Sequence, residues 1–434
     1  MHDIVYVVVE LGDFFDMVRF LLFVACLVSG LPCLAAERSG SLSQNETWSL
    51  AESPWMITDD LTIEEGATVT IEPGVEVKLG AGVSIEVLGV LNAVGEKDAA
   101  ISFDRAGARR WGGVSCEEPN GGGRFVYCDI RDGDNVGSGR IGMFNVMGSA
   151  YPVEIMNCTF ENWPDDFNRK AIHMEDIIDV HISGCYFGEG ANEAVHGSNA
   201  AALVEYCTFA RRYDYSDALD IGDTKRPGPV PIVRKNVFLG SDDDAIDLDN
   251  CDAIVDGNLV MNCRGGGNDP IGISGDAGAE SIITNNIIIN CENGIGFKNG
   301  ANITVMNNTI IDCDRGIWLH QSAAFAQVIN TIIWGRDDQQ AVRLERGSGI
   351  SVIHSILHGS SVYPGSGNSN QWPAFVDYEG GDYHLFPGSP AIAGGASVDD
   401  LPDTDFDGRL RRNPIDIGAY VFDEFSACCN WLLH

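Results

Sequence analysis

The chain has 434 residues, with 63 Asp and Glu against 27 Lys and Arg, and a formal charge of −36 at pH 7. Charge of that sign, spread along the chain, repels nucleic acid and anionic membranes and leaves cations as natural companions. Its 51 glycines, abundant Ile and Val, and lack of helical periodicity beyond the N-terminus favour short strands joined by tight turns.

Residues 1–36 read as an export signal whose true start is Met17. Arg19 precedes an apolar run from Phe20 to Ala36 that ends in the small residues of Cys33-Leu-Ala-Ala36. No other stretch is apolar over the roughly 18 residues that a spanning helix needs. The expected location is therefore secreted, extracellular or cell envelope, with no membrane span in the mature chain. Residues 37–60 are expected to form a lead-in, with Trp48 and Trp55 covering the open end of a core. From Leu61 to Phe103 come short alternating strands with glycine at their corners.

Beyond them one slot recurs, the residue that opens a short strand: Cys128, Cys158, Cys185, Cys207, Asn236, Asn258, Asn286, Asn308, Asn330 and Ser355. The intervals are 30, 27, 22, 29, 22, 28, 22, 22 and 25 residues. A fixed minimum with variable excess describes a solenoid coil with loops inserted in some turns. A leucine-rich repeat would need L-x-x-L-x-L on each turn, which is absent. The expected fold is all-β, a right-handed parallel β-helix over 61–360, with the asparagines hydrogen-bonding from coil to coil. Residues 361–382 are expected to be a linker and 383–422 a separate C-terminal segment, followed by a tail, 423–434, with no assignable role. Cys128, Cys158, Cys185 and Cys207 share one column, and Cys263, Cys291 and Cys313 another. Stacked side chains point in parallel, so these thiols are expected to stay unpaired as small buried apolar groups.

Each full coil has a second strand, such as Ala-Leu-Asp-Ile (218–221), Ala-Ile-Asp-Leu (245–248) and Gly-Ile-Gly-Phe (294–297). Stacking these strands puts their outward residues into three columns. One reads Lys170, Glu193, Asp217, Asp244, Asp269, Asn293, Arg315 and Gln340; the next His173, His196, Asp220, Asp247, Gly272, Gly296, Trp318 and Arg343. The third reads Glu175, Ser198, Gly222, Asp249, Ser274, Lys298, His320 and Glu345. Carboxylates one coil apart repel by about 3 kcal/mol per pair at an effective dielectric near 20. A bound cation would relieve that, and an all-oxygen cluster suits Ca2+. The candidate metal ligands are Asp217, Asp220, Asp243, Asp244 and Asp247. The alternative is a solvated acidic face.

These repeats, with SPWMITDDLTIEEGATVTIEPGVEVKL near the start and YHLFPGSPAIAGG near the end, resemble secreted pectin-lyase-like β-helix proteins. Asp243-Asp244-x-x-Asp247, with Asp217 or Asp220 one coil earlier, is similar to the calcium site of family nine polysaccharide lyases, and Gly296-Phe297-Lys298 to the strand carrying their catalytic lysine. The resemblance implies calcium-assisted β-elimination on an acidic polysaccharide by a monomer. Lys298 and Arg315 are then the candidate catalytic residues, and Trp318, His320 and Asp269 the candidate sugar-binding ones. The competing expectations are a non-catalytic glycan-binding or structural β-helix stiffened by calcium, and a glycoside hydrolase using two of the aspartates. Asp403-x-Asp405-x-Asp407-Gly408 resembles half a calcium loop but has Pro414 where the closing glutamate belongs, which favours a plain turn.

Overall fold

The computed structural model describes residues 35–118, 120–134, 141–148, 151–165, 169–267 and 269–423. Nearly all of the expected export signal and the end of the tail, with Cys26, Cys33, Cys428 and Cys429, lie outside the described residues.

Each coil contributes up to three short strands, and each strand pairs in parallel with its counterpart one coil on. The front stack includes Leu219–Gly222, Ile246–Leu248, Ile271–Gly275, Asn293–Lys298 and Arg315–His320. The side stack includes Ile232–Arg234, Ile254–Asp256, Ile282–Thr284 and Asn302–Met306. The back stack includes Val237–Phe238, Leu259–Met261, Ile287–Ile289 and Thr309–Ile311. The result is an all-β, right-handed parallel β-helix of about 13 turns. Among the described residues no helix is long and apolar enough to cross a membrane.

Alternation along the strands turns every second side chain into the solenoid. Phe160, Phe187, Phe209 and Phe238 stack there with ring centroids 5.3, 4.8 and 4.5 Å apart. Pairing already begins at Ala36, whose strand lies against Trp55–Ile63. Residues 37–54 are therefore the first coil and residues 55–60 open the second, so this stretch is not a lead-in, and Trp48 and Trp55 stack inside the solenoid at 5.3 Å. All nine described cysteines are buried and unpaired.

The side-to-back corner explains the recurring slot. The residue before it is left-handed in coil after coil: Tyr206, Lys235, Asn285 and Asn307 have φ of 54°, 55°, 55° and 54°. That turn drives the next side chain inward. Asn236, Asn258, Asn286 and Asn308 then form a buried ladder, each Nδ2 donating to the next Oδ1 at 2.9–3.0 Å. Each Oδ1 also accepts the backbone N–H of the preceding ladder residue at 2.9–3.0 Å. One expectation fails here. Thr309 pairs with Ile332, so the slot after Asn308 holds Thr331, and Asn330 is the left-handed corner residue with φ of 52°. Thr331 continues the ladder through Ser355 Oγ at 3.0 Å. Asn286→Ala would strand the buried N–H of Asn258 and break the ladder on both sides. The expected loss is on the order of 3 kcal/mol, read as a lower denaturant midpoint.

The C-terminal region is neither linked loosely nor separate. Phe375–Asp377 pairs antiparallel with Asp382–Leu385 inside the expected linker, and the chain to Phe422 returns along the back stack. It forms a second core, in which Ile287, Ile311, Ile332 and Ile356 meet Tyr383, Leu385, Ile417 and Tyr420. This is why Ile-Ile-Ile (287–289) is apolar on both faces. The left-handed corner residues hold the returning chain. Lys235 reaches the Phe406 carbonyl at 2.8 Å, Asn307 those of Asp416 and Gly418 at 3.0 and 3.1 Å, and Asn330 that of Ala396 at 2.9 Å.

The Asp403–Gly408 segment is a plain turn. Asp405 accepts the N–H groups of Arg409 and Val421 at 2.7 and 2.8 Å, and Asp407 is held by Arg409 and His384 at 2.6 and 2.9 Å. Burial alone would lower the pKa of His384, but its bonds to Asp407 and Asp382 outweigh that and raise it. A raised histidine pKa stabilises the fold fully below about 6.5 and loses that contribution as pH rises through the folded value. His384→Gln is therefore expected to lower the melting temperature most in mild acid, with the gap closing in alkali.

Candidate metal face

The front stack carries the aspartates, because the outward side chains of successive strands come into register there. Strand pairing puts Leu219 beside Ile246 and Asp220 beside Asp247, which brings Asp217 beside Asp244. Carboxylate oxygens of Asp217, Asp243 and Asp244 lie within 4.8 Å of one another. Asp217 accepts the backbone N–H of Asp244 at 2.8 Å, and Asp244 that of Ile271 at 2.8 Å. Ser274 Oγ bridges Asp244 and Asp247, 2.8 Å from the latter. Asp249 Oδ1 is buried and takes no hydrogen bond.

Burial and mutual repulsion push these acids up together. Asp243 rises to about 6 through burial, and Asp244 to about 7 through burial and the charge of Asp243. Burial and their acidic neighbours also raise Asp217 and Asp247 well above the usual carboxylate range. Crowded, half-buried carboxylates in an all-oxygen set, one oxygen of Asp249 still unbonded, are the donor chemistry that a hard divalent cation needs. The residues fit calcium.

One oxygen of Asp220 is bonded to His196. His196 Nδ1 lies 3.0 Å from Asp220 and 2.9 Å from Glu193. These carboxylates outweigh burial and raise the imidazole pKa to about 9. Asp220 is thus paired with His196, while its charge still adds to the repulsion on Asp217 and Asp247.

The coil containing Ile271–Gly275 corrects the expected columns. Asp247 pairs with Ser274 and Gly275 with Phe297. Ile271, Ser274 and Asp276 therefore occupy the places expected for Asp269, Gly272 and Ser274. The slip is two residues, which leaves the in–out alternation intact and so gives no hydrophobic signal. Gly275 is needed where it stands, since a Cβ there would lie 2.6 Å from the Phe297 ring. Asp276, which the sequence reading missed, stands between Asp249 and Lys298, with Lys298 Nζ 4.0 Å from its carboxylate. Counting back one compact coil of 22 residues from Lys298 lands on it.

Burial alone would lower the Lys298 pKa, but Asp249, Asp247, Asp276 and Asp244 raise it. The lysine thus feels the aspartate cluster from two coils away. Arg315 is tied to Asn293 and Asp269 at 2.8 and 3.2 Å, which gives Asp269 a place in the loop and not in the strand column. Trp318 is 8% exposed. Arg315 and Arg343 lie 4.9 and 5.5 Å from its ring centroid and His320 stacks at 3.9 Å. Its burial leaves no open face for a sugar, against the expectation of stacking. His320 is buried, and burial and Lys298 lower its pKa.

Residues 230–372 match the family model described as the right handed beta helix region. No curated protein matches the chain. Among solved structures it is similar to pectate lyase Pel9A, at 15% identity over 83% of this chain and 89% of that one, with a TM-score of 0.42. It is also similar to the PL6 family polysaccharide lyase Pedsa3628 from Pseudopedobacter saltans, at 14% identity over 70% and 85%, with a TM-score of 0.43. The alginate lyase of Paenibacillus sp. str. FPU-7 follows at 15% identity over 64% and 93%, with a TM-score of 0.33.

Proposed function

We propose that this β-helix is an exported carbohydrate-active protein that cleaves an acidic polysaccharide by calcium-dependent β-elimination, with Lys298 as the base. The observation that carries this reading is the cluster of Asp217, Asp243 and Asp244 within 4.8 Å, with Lys298 inside its field. Asp217, Asp243 and Asp244 would hold the cation, with Asp247 joined to them through Ser274. When bound, the cation supplies charge that offsets these carboxylates and that of a uronate.

The chain's own groups then divide the work. Lys298 Nζ takes the proton from the carbon next to the uronate carboxylate. The electrons of that C–H bond form a carbon–carbon double bond as the glycosidic C–O bond breaks, and the leaving oxygen collects a proton from water. Arg315 lies one strand further along the stack, where its guanidinium can exchange Asp269 for a substrate carboxylate. Asp276 positions Lys298.

The raised pKa of Lys298 favours a second reading, a calcium-stiffened glycan-binding protein in which this lysine stays an ammonium. A panel of polyuronates, incubated with calcium or with chelator, separates the two. The lyase reading expects a calcium-dependent rise in ultraviolet absorbance from unsaturated sugar ends. Retention of an uncut polymer would favour the binding protein.

A further inference from the structure

Adjoining the aspartate cluster on its N-terminal side, the same face carries a group of different chemistry. Glu193 Oε2, His196 Nδ1 and Asp220 Oδ2 converge, with the imidazole nitrogen 2.9 and 3.0 Å from the two oxygens, and these atoms all lie within 4.8 Å. Lys170 pairs with the other oxygen of Glu193, which leaves Oε2 turned toward His196. One coil below, His173 sits in register with His196, and the rings stack at 5.5 Å and 24°. His173 is 5% exposed, and its Nδ1 is buried without a hydrogen bond. Ion pairing among Lys170, Glu193, His196 and Asp220 accounts for those four groups. It does not account for a buried imidazole nitrogen left unpartnered beside them, which is destabilising.

We propose that Glu193, His196 and Asp220, completed by His173, form a second metal site, for a borderline divalent cation of the zinc class. Two imidazoles and two carboxylates are a donor set that zinc accepts in tetrahedral geometry, with ligand bonds of about 2.0–2.2 Å. A hard cation such as calcium is served better by the all-oxygen cluster next door. Lys170 acts from outside as the partner that orients Glu193. His173 lies outside the group that converges within 4.8 Å, so its ring would have to turn toward His196 to bring Nδ1 onto the ion. The site shares no ligand with the aspartate cluster, although the charges of Glu193 and Asp220 reach Asp243 and Asp217, and it does not depend on the lyase reading.

Equilibrium dialysis of the full chain against zinc, in buffer saturated with calcium, tests this. One zinc per chain is expected, retained in Asp244→Asn and weakened at least about tenfold in His196→Ala. His173→Gln, a milder change at a residue outside the ion-pair chain, is expected to weaken zinc similarly with an unchanged circular dichroism spectrum. X-ray absorption of the zinc-loaded protein is expected to contain imidazole scattering from two ligands. No zinc above a protein-free blank, displacement by calcium, equal affinity in His196→Ala and His173→Gln, or a zinc shell without imidazole would each overturn the proposal.

Discussion

Asp244→Asn is expected to move stability in opposite directions with and without calcium. Asp244 converges with Asp217 and Asp243 within 4.8 Å, and burial with the Asp243 charge raises its pKa to about 7. A carboxylate whose folded pKa is raised stabilises the fold fully below its unfolded value, about 3.9, and loses that contribution as pH rises through about 7. At neutral pH the metal-free wild type therefore carries strain that the amide removes, and the metal-free variant should melt higher. Calcium should reverse the order, because the variant has lost a charged ligand. Losing only an outer-shell partner of a metal site costs about 10–100-fold in affinity, so this change should weaken calcium by at least that much. Calcium titration calorimetry and melting curves with and without chelator check both signs. A variant that binds calcium like wild type would remove the cluster from the account.

Lys298→Ala is expected to lower turnover on the responsive polyuronate by about a thousandfold, the middle of the range for a positioned proton acceptor. Calcium should bind the variant at least as tightly, because the change removes a competing positive charge from the field of the aspartates. Lys298→Arg should not rescue, because a guanidinium stays protonated throughout the accessible range. The aspartates hold Lys298 above its ordinary pKa, so activity should rise with pH, and saturating calcium should shift that rise to lower pH. An alanine variant that keeps wild-type turnover would leave the lysine a counter-charge to Asp276.

The coil itself was legible because strand alternation and turn chemistry repeat in every coil. The buried asparagines, the inward Phe and Ile residues and the unpaired cysteines all follow from that repeat. The failures lie where the repeat offers no check. A slip of two residues near Ile271 preserves alternation, so Asp269 was given the place of Ile271 and Asp276 went unseen. Asn330 matched the ladder by residue type, although its neighbour Thr331 fills the slot. Trp318 has the right parity for an outward residue, but Arg315, Arg343 and His320 close over it, and their approach depends on rotamers that spacing does not specify. The returning segment was hidden for a related reason. Its contacts join residues far apart in sequence, as Asn330 to Ala396, 66 positions on, and Asn307 to Asp416, 109 positions on, and no local pattern encodes them.

The most direct test of elimination is the oxygen balance of the cut. The polyuronate that responds to calcium would be cleaved in water enriched in heavy oxygen and the products weighed by mass spectrometry. Elimination breaks the glycosidic bond without adding water, so the account expects unsaturated fragments carrying no heavy oxygen. Fragments that have each gained one heavy-oxygen water would identify a hydrolase and contradict it.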